Sequence, residues 1–304
     1  MKFSILIANY NNGKYFKDCY DSILAQTHTD WEVIIVDDKS TDHSVNTISN
    51  LIKDDYRFKL FENEKNYGCG YTKRRCVELA TGVICGFLDP DDALLPLALE
   101  RMIEAHQEYP SASMINSDCF QCDENLNILD KYEFYKPVPP GQTLIKNLTV
   151  GSFATFKRSA YLKTAGINPK FKRAVDHDLY LKLDEVGALE YIHESFYLYR
   201  INASGISQNS NGIKARQFSI LAILDAHKRR SSLNMNNITS NEAKALKKTW
   251  YLREAYFQRI GGNRKESDII LYNALKEFPS IAFNKTWLMA IIRNKFGSGS
   301  SLAG

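Results

Sequence analysis

At 304 residues, 44% apolar and 24% charged, the chain reads as globular protein with length for one large domain and an appendage. That balance excludes disorder and fibre, and no run approaches the roughly 18 consecutive apolar residues of a membrane span. The net charge of +4 conceals a split: residues 214–296 carry 16 Lys and Arg against 6 Asp and Glu, a balance of +10 that leaves −6 elsewhere.

In chain order, Met1-Lys2 leads straight into the strand-like run Phe3–Ala8, which is too short for a secretory signal. A cytoplasmic protein is therefore expected, and the six cysteines are expected to be unpaired thiols. Lys14–Gln26 repeats apolar residues at helical spacing, and Trp31–Val36 is an apolar, β-branched strand stopped by Asp37-Asp38. A helix over about 43–53, a strand at Phe58–Phe61, a helix over 72–80 and a fourth apolar run at Val83–Leu88 follow. Strands covered on both faces by crossover helices give such near-continuous apolar runs. The alternation predicts an α/β fold with a mostly parallel, doubly wound sheet.

From 97 to 200 the alternation loosens. The pattern predicts a helix at 97–109, strands at 112–116 and 126–134, a Pro-rich break at 137–141, a segment 150–157 with a short helix after it, and a helix from Asp176 to Val186. Beyond 213 the chain reads as helical throughout, at 214–230, 240–260, 264–277 and 280–295, with a low-complexity tail at 297–304. The expected division is 1–212 as the catalytic domain, with a nucleotide-sugar half at about 1–92 and an acceptor half at 93–212. Residues 213–296 would be a helical region and 297–304 a flexible tail.

Ligands of open α/β sheets bind beyond the carboxyl ends of the strands. Polar clusters stand at three such ends: Asn9-Tyr10-Asn11, Asp37-Asp38 and Asp89-Pro-Asp91-Asp92. The last places three carboxylates within four residues, which repel one another unless a cation sits among them. Hard divalent ions that prefer oxygen meet that need and are commonly shared with substrate phosphates. As a bare motif, the same turn also serves as loop and helix-capping chemistry.

These clusters stand in the order and spacing of a known family. Asn9-Tyr-Asn11, Val36-Asp-Asp-Lys-Ser-Thr-Asp42, Asn66-Tyr-Gly68, Ala80-Thr-Gly82, Phe87-Leu-Asp-Pro-Asp-Asp92, Val175-Asp-His-Asp178 and Leu198-Tyr-Arg200 together resemble glycosyltransferase family 2, whose fold is called GT-A. The resemblance covers about residues 3–207. It implies an inverting, nucleotide-sugar-dependent glycosyltransferase, with a UDP-sugar as expected donor and a glycan or lipid-linked acceptor. It implies nucleotide contacts from Ala8, Tyr10, Asp37, Asp38, Asn66, Gly68, Lys73 and Asp89, and an Mn²⁺ or Mg²⁺ ion held by Asp89, Asp91 and Asp92. Asp176 matches the general base. The family usually has Glu before that Asp, where this chain has Val175, so Asp178 stays open as a second candidate. Lys73 in Lys73-Arg74-Arg75 takes the place of a family arginine, and Arg200 is a candidate for the diphosphate or closing loop.

Two other readings compete. A sugar-phosphate nucleotidyltransferase normally has a Gly-rich basic loop after its first strand, and Asn9–Gly13 has one glycine and no arginine. A non-catalytic scaffold would not need Asp89, Asp91 and Asp176. No nucleic-acid partner is expected, and the sequence leaves the oligomeric state open. For the basic region 214–296, the apolar stretch Trp287–Phe296 with its flanking cations suggests peripheral docking on an anionic inner membrane face. A helical protein-interaction module is the competing reading.

Overall fold

The computed structural model describes residues 1–132, 136–140, 142–151, 153–201 and 210–283. The chain divides into two compact units, Met1–Asn237 and a second beginning at Ile238.

The first unit opens with β1 (Phe3–Asn9), α1 (Phe16–Leu24), β2 (Trp31–Asp37), α2 (Ser44–Ile52), β3 (Phe58–Glu62), α3 (Cys69–Leu79) and β4 (Ile84–Phe87). All seven residues of β2 are buried, as expected for a strand covered on both faces. Phe16, Cys19 and Ile23 are the buried stripe of α1, at the three-to-four-residue spacing that lays one helix face on a sheet. After β4 come β5 (Ala93–Leu94), α4 (Ala98–Glu108), β6 (Ala112–Cys122), β7 (Ile128–Lys131), β8 (Thr155–Lys157), α5 (Arg158–Tyr161), α6 (Val175–Leu183), β9 (Ala188–Arg200) and α7 (Ser210–Ser232).

Among the described residues the sheet runs β3-β2-β1-β4-β8-β6-β9-β5, with β7 on β6. The first four strands are parallel, as the alternation predicts. Beyond β4 the sheet is mixed: β8 is antiparallel to both β4 and β6, while β6 and β9 are parallel. This half was less legible. Ser117 and Asp118 interrupt the apolar run of β6, so its last six residues were not expected to be strand, although both polar side chains are buried. The long β9 had no signal beyond Leu198–Arg200, because its partly exposed residues do not alternate cleanly.

Sheet and helices share one core that includes Phe3, Ile5, Phe16, Trp31, Val33, Met102 and Phe153. Its amino edge is tied by Glu32, a buried carboxylate that accepts from Ser4 Oγ (2.8 Å), Lys2 Nζ (3.0 Å), Lys59 Nζ (3.0 Å) and the Thr81 amide (2.7 Å). Burial alone would raise its pKa, but those donors hold it well below the usual carboxylate range. The Ala80-Thr-Gly82 motif lies here, at the edge away from the acidic clusters. A Cβ on Gly82 would stand 2.6 Å from Ser4 Oγ, so close packing demands glycine.

Helix α7 belongs to the first unit, past the boundary expected near 212. Its Arg229 makes a two-pronged pair with Glu185 (2.8 and 2.9 Å), and Arg230 pairs with Asp184. Two of the cations behind the +10 balance are thus neutralised inside the first unit.

The second unit is a helical hairpin of α8 (Ser240–Ile260) and α9 (Arg264–Glu277), close to the predicted bounds. Thr239 and Glu242 form a capping box at its start. Ala255, Ile270 and Leu271 fill its small core with Tyr251 beside them. Trp287–Phe296 and the tail 297–304 lie outside the described residues.

Candidate active site

The acidic and polar clusters meet at the carboxyl edge of β1, β2, β3 and β4. The loops after β1 and β2 are laced together. Asn9 Nδ2 donates to Asp37 Oδ2 (2.7 Å), the Ser40 amide to Asp37 Oδ1 (2.7 Å), and the Thr41 amide to Asn11 Oδ1 (2.8 Å). Asp37 is fully buried and its two oxygens are spent on Asn9 and Ser40, so it shapes the turn rather than facing the crevice.

Asp38 performs a different task. Its Oδ1 accepts from Asn63 Nδ2 (2.7 Å) and the Tyr67 amide (2.9 Å), and its Oδ2 from the Gly68 amide (2.7 Å). It thereby fixes the loop into α3, where Gly68 takes φ 93°, a conformation only glycine adopts cheaply. A carboxylate has about four lone-pair positions, so one on Oδ2 stays open to a ligand. Ala8 is half-buried at the end of β1, while Tyr10 and Asn66 are exposed on the loops beside it. Asn63 went unnoticed in the sequence, although it follows β3 as the acidic residues follow β2 and β4, and the same strand-end rule would have found it.

Of Lys73-Arg74-Arg75, only the lysine turns to the acidic motif: its Nζ stands 3.1 Å from Asp89 Oδ1 and 4.9 Å over the Phe87 ring. Burial opposes its charge, but Asp89, Cys69 and Asp176 hold the ammonium well above the usual lysine range. Arg74 pairs with Glu78 and reaches the carbonyls of Ala165 and Ile167, and Arg75 binds Glu62 O and Asn63 Oδ1. Both are structural.

The three carboxylates of the DPDD turn differ. Asp89 is partly exposed and pairs with Lys73. Burial, then the charge of Asp89, raises the pKa of Asp91. Asp92 is buried, accepting from Tyr197 Oη at Oδ2 (2.6 Å) and from the Arg200 amide at Oδ1 (2.8 Å). Burial and the charges of Asp91 and Asp89 push its carboxyl well above the usual range. Among the described residues no group of three or more His, Cys, Asp or Glu side chains forms a metal-ligating cluster. With Asp92 engaged, Asp89 and Asp91 are the carboxylates of the turn that could face a cation. Two carboxylates completed by water and diphosphate oxygens suit Mg²⁺ or Mn²⁺.

Arg200 does not reach toward a diphosphate. Its side chain is 1% exposed, and its guanidinium donates to Asp91 O (2.6 Å), Glu124 O and Asp18 Oδ2 (2.7 Å) beneath the Tyr15 ring. It is a strut behind the acidic turn. Tyr197, which sequence reading missed, works beside it: its oxygen accepts from the Asp89 amide (3.2 Å) while its hydroxyl donates to Asp92.

Helix α6 separates the two remaining acids. Asp178 is 1% exposed and accepts at Oδ2 from Lys182 Nζ (2.7 Å) and the Asn168 amide (2.8 Å), so it is locked in a buried ion pair. Asp176 is partly exposed in the first turn, after Ala174 at φ 48°. The charges of Asp89, Asp176 and Asp38 all act on Cys69, whose thiol burial has already raised, so that it stands at about 11 despite the opposing charge of Lys73. The start of α3 is thus tied to Asp38 through the Gly68 amide (2.7 Å) and to Asp89 through Lys73 (3.1 Å). Asn11 (φ 55°) after β1, Lys39 (φ 63°) after β2 and Ala174 before α6 hold left-handed conformations, and such strain gathers at functional sites.

Known proteins share this fold. The chain is 33% identical to chondroitin synthase of Escherichia coli over 194 residues, covering 64% of this chain and 28% of that protein. It spans only about a quarter of the first curated relatives it matches. A GalNAc(5)-diNAcBac-PP-undecaprenol beta-1,3-glucosyltransferase of Campylobacter jejuni is 26% identical over 306 residues, covering 96% of this chain and 92% of that one. In fold, the S. aureus TarS 1–349 structure in complex with UDP-GlcNAc superposes with a TM-score of 0.65 at 18% identity, covering 96% of this chain and 82% of that one. The family described as Glycosyl transferase family 2 matches residues 4–164. The chain belongs to that family and has a GT-A-like fold.

Proposed function

We propose that this protein is a glycosyltransferase that moves a sugar from a UDP-sugar to a hydroxyl of a glycan or lipid-linked acceptor, with inversion, using Asp176 as the base. The observation that carries the reading is what meets at the start of α3: Asp38 accepts from the Gly68 amide (2.7 Å), the Gly70 amide donates to Phe171 O (2.8 Å) in the segment leading into α6, and Lys73 pairs with Asp89 (3.1 Å). In this reading the loops after β2 and β4 and the start of α6 serve one crevice at the beginning of α3. The names of two relatives support the substrate class: one TarS structure holds UDP-GlcNAc, and the Campylobacter jejuni enzyme acts on a polyprenol-linked glycan.

In this reading Asp38 accepts from the nucleotide base with the lone pair its loop leaves open. Lys73 faces the diphosphate and offsets its charge from the α3 side. Asp89 and Asp91 would hold an Mn²⁺ or Mg²⁺ ion, which as a Lewis acid offsets charge on the departing diphosphate. Asp176 removes the proton of the acceptor hydroxyl as its oxygen bonds the anomeric carbon on the face opposite the leaving group. Asp178 stays paired with Lys182 and fixes the helix that aims Asp176.

Residues 238 onward we assign to docking on an anionic membrane surface, which suits a lipid-linked acceptor. Among the described residues no helix is long and apolar enough to cross a membrane. Calorimetric titration with UDP tests the donor site: binding should be tight with Mn²⁺ and at least about tenfold weaker in chelator. Equal affinity in both conditions would remove the metal, and no binding of any nucleotide would remove the reading.

A further inference from the structure

The mixed half of the sheet holds a second polar feature away from the acidic turn. Asn116 is 1% exposed in the middle of β6, yet among the described residues neither Oδ1 nor Nδ2 has a partner. Leaving both ends of a buried carboxamide unpaired is costly, and native interiors seldom do so without a ligand or water. Asn116 lines a cavity of about 250 Å³ with Lys136, Val150, Glu190, Tyr191 and His193.

The surroundings are built rather than accidental. Asn116 pairs in register with Tyr191 across β6 and β9. The Tyr191 hydroxyl is fixed by Asp118, which Lys131 holds in an ion pair (2.7 Å). Tyr191 and His193 stand with ring centroids 5.0 Å apart, giving the cavity an aromatic wall beside its amide. The opposite rim is closed on itself, the Lys136 amide donating to Thr149 O (3.2 Å) and the Thr149 hydroxyl to Lys136 O (2.8 Å), with Pro137, Pro139 and Pro140 stiffening the chain next to Lys136. Val150 adjoins Gly151, whose carbonyl takes the Tyr180 hydroxyl (3.2 Å) one helical turn from Asp176.

We propose that this cavity binds one pyranose unit of the acceptor. Ligand pockets pair apolar and aromatic walls with a few placed polar groups, and a cavity of about 250 Å³, just under the range of drug-sized sites, suits a single sugar ring. A carboxamide that can both donate and accept matches a sugar hydroxyl, or an acetamido group, in both roles. The aromatic wall suits the C–H face of the ring. The word acceptor rests on the transfer reading above; the sugar site itself does not.

Saturation-transfer NMR with methyl β-glycosides of glucose, N-acetylglucosamine, galactose, N-acetylgalactosamine and glucuronic acid, at saturating UDP and Mn²⁺, tests the cavity. At least one glycoside should give a signal with the wild-type protein. Asn116→Leu should lose that signal, and His193→Ala, on the exposed rim where folding is not at stake, should reduce it several-fold. UDP titration of the same samples should be unchanged. The proposal is overturned if no glycoside binds, or if both variants bind as the wild type does, since the cavity then holds only water. Failure of UDP binding with glycoside binding intact would instead refute the donor assignment.

Discussion

Exchanging each acid of α6 for its amide should separate chemistry from structure. Asp178 and Lys182 are 1% and 7% exposed, so Asp178→Asn leaves a buried ammonium without its counter-charge, facing only neutral oxygens such as Gly166 O (2.7 Å). Breaking a buried pair from one side costs about 3–5 kcal/mol. At about 2–4 °C per kcal/mol for a unit of this size, the melting temperature should fall by roughly 6–20 °C. Asp176 has no such buried partner among the described residues; its Oδ1 accepts from the next amide in its own helix, His177 N at 3.0 Å. Asp176→Asn removes a charge from a helix N-terminus, worth about 0.3–1 kcal/mol, so melting should shift by only a few degrees. Transfer should nevertheless fall on the order of 10²–10⁴-fold, the usual worth of a general base. Differential scanning fluorimetry and a nucleotide-release assay on both variants read the two effects. An active Asp176→Asn, with Asp178→Asn inactive yet fully stable, would refute the assignment.

Arg200→Met should cost about 1–3 kcal/mol in urea unfolding, because the buried guanidinium's bonds to Asp91 O, Glu124 O and Asp18 are lost, while the exposed Asp18 and Glu124 can take water instead; unchanged stability would mean the strut is idle. His106 is buried with Nε2 on Thr155 Oγ1 (3.0 Å), and burial, then the charge of Lys157, lowers its pKa to about 3. The neutral ring is the native form, so stability is present above the unfolded value near 6.5 and is lost as pH falls toward 3. Between pH 7 and 5 the wild type should lose about 2 kcal/mol relative to His106→Leu, a comparison in which the shared carboxylates cancel; parallel pH curves would contradict this. The full chain should sediment with anionic liposomes and release in high salt, and a chain ending at Asn237 should not bind. Equal partitioning with neutral liposomes would leave the hairpin as a protein-interaction module.

Much of the nucleotide-binding half was legible because burial on both faces makes its strands continuous apolar runs, with chemistry at their ends. The helices of the hairpin were legible for a similar reason, since 240–260 and 264–277 keep an unbroken period. The mixed half was not, because β6 buries polar groups such as Asp118 and Asn116 that look like loop residues in one dimension, and the partly exposed residues of β9 do not alternate cleanly. Roles within motifs were the least legible. Asp176 and Asp178 share one motif, as do Asp91 and Asp92, and Lys73 shares one with Arg75. Only partners brought from distant segments, such as Asn168 for Asp178 and Tyr197 for Asp92, distinguish the member that faces the crevice.

The most direct test of the account is nucleotide release from a panel of UDP-, GDP- and TDP-sugars, with Mn²⁺ and with excess chelator, for the wild type and Asp176→Asn. The account predicts metal-dependent release of UDP from at least one UDP-sugar, and a variant that binds UDP as the wild type does but releases it at least about a hundredfold more slowly in the presence of acceptor. Full activity in chelator, or an Asp176→Asn variant as fast as the wild type, would contradict it.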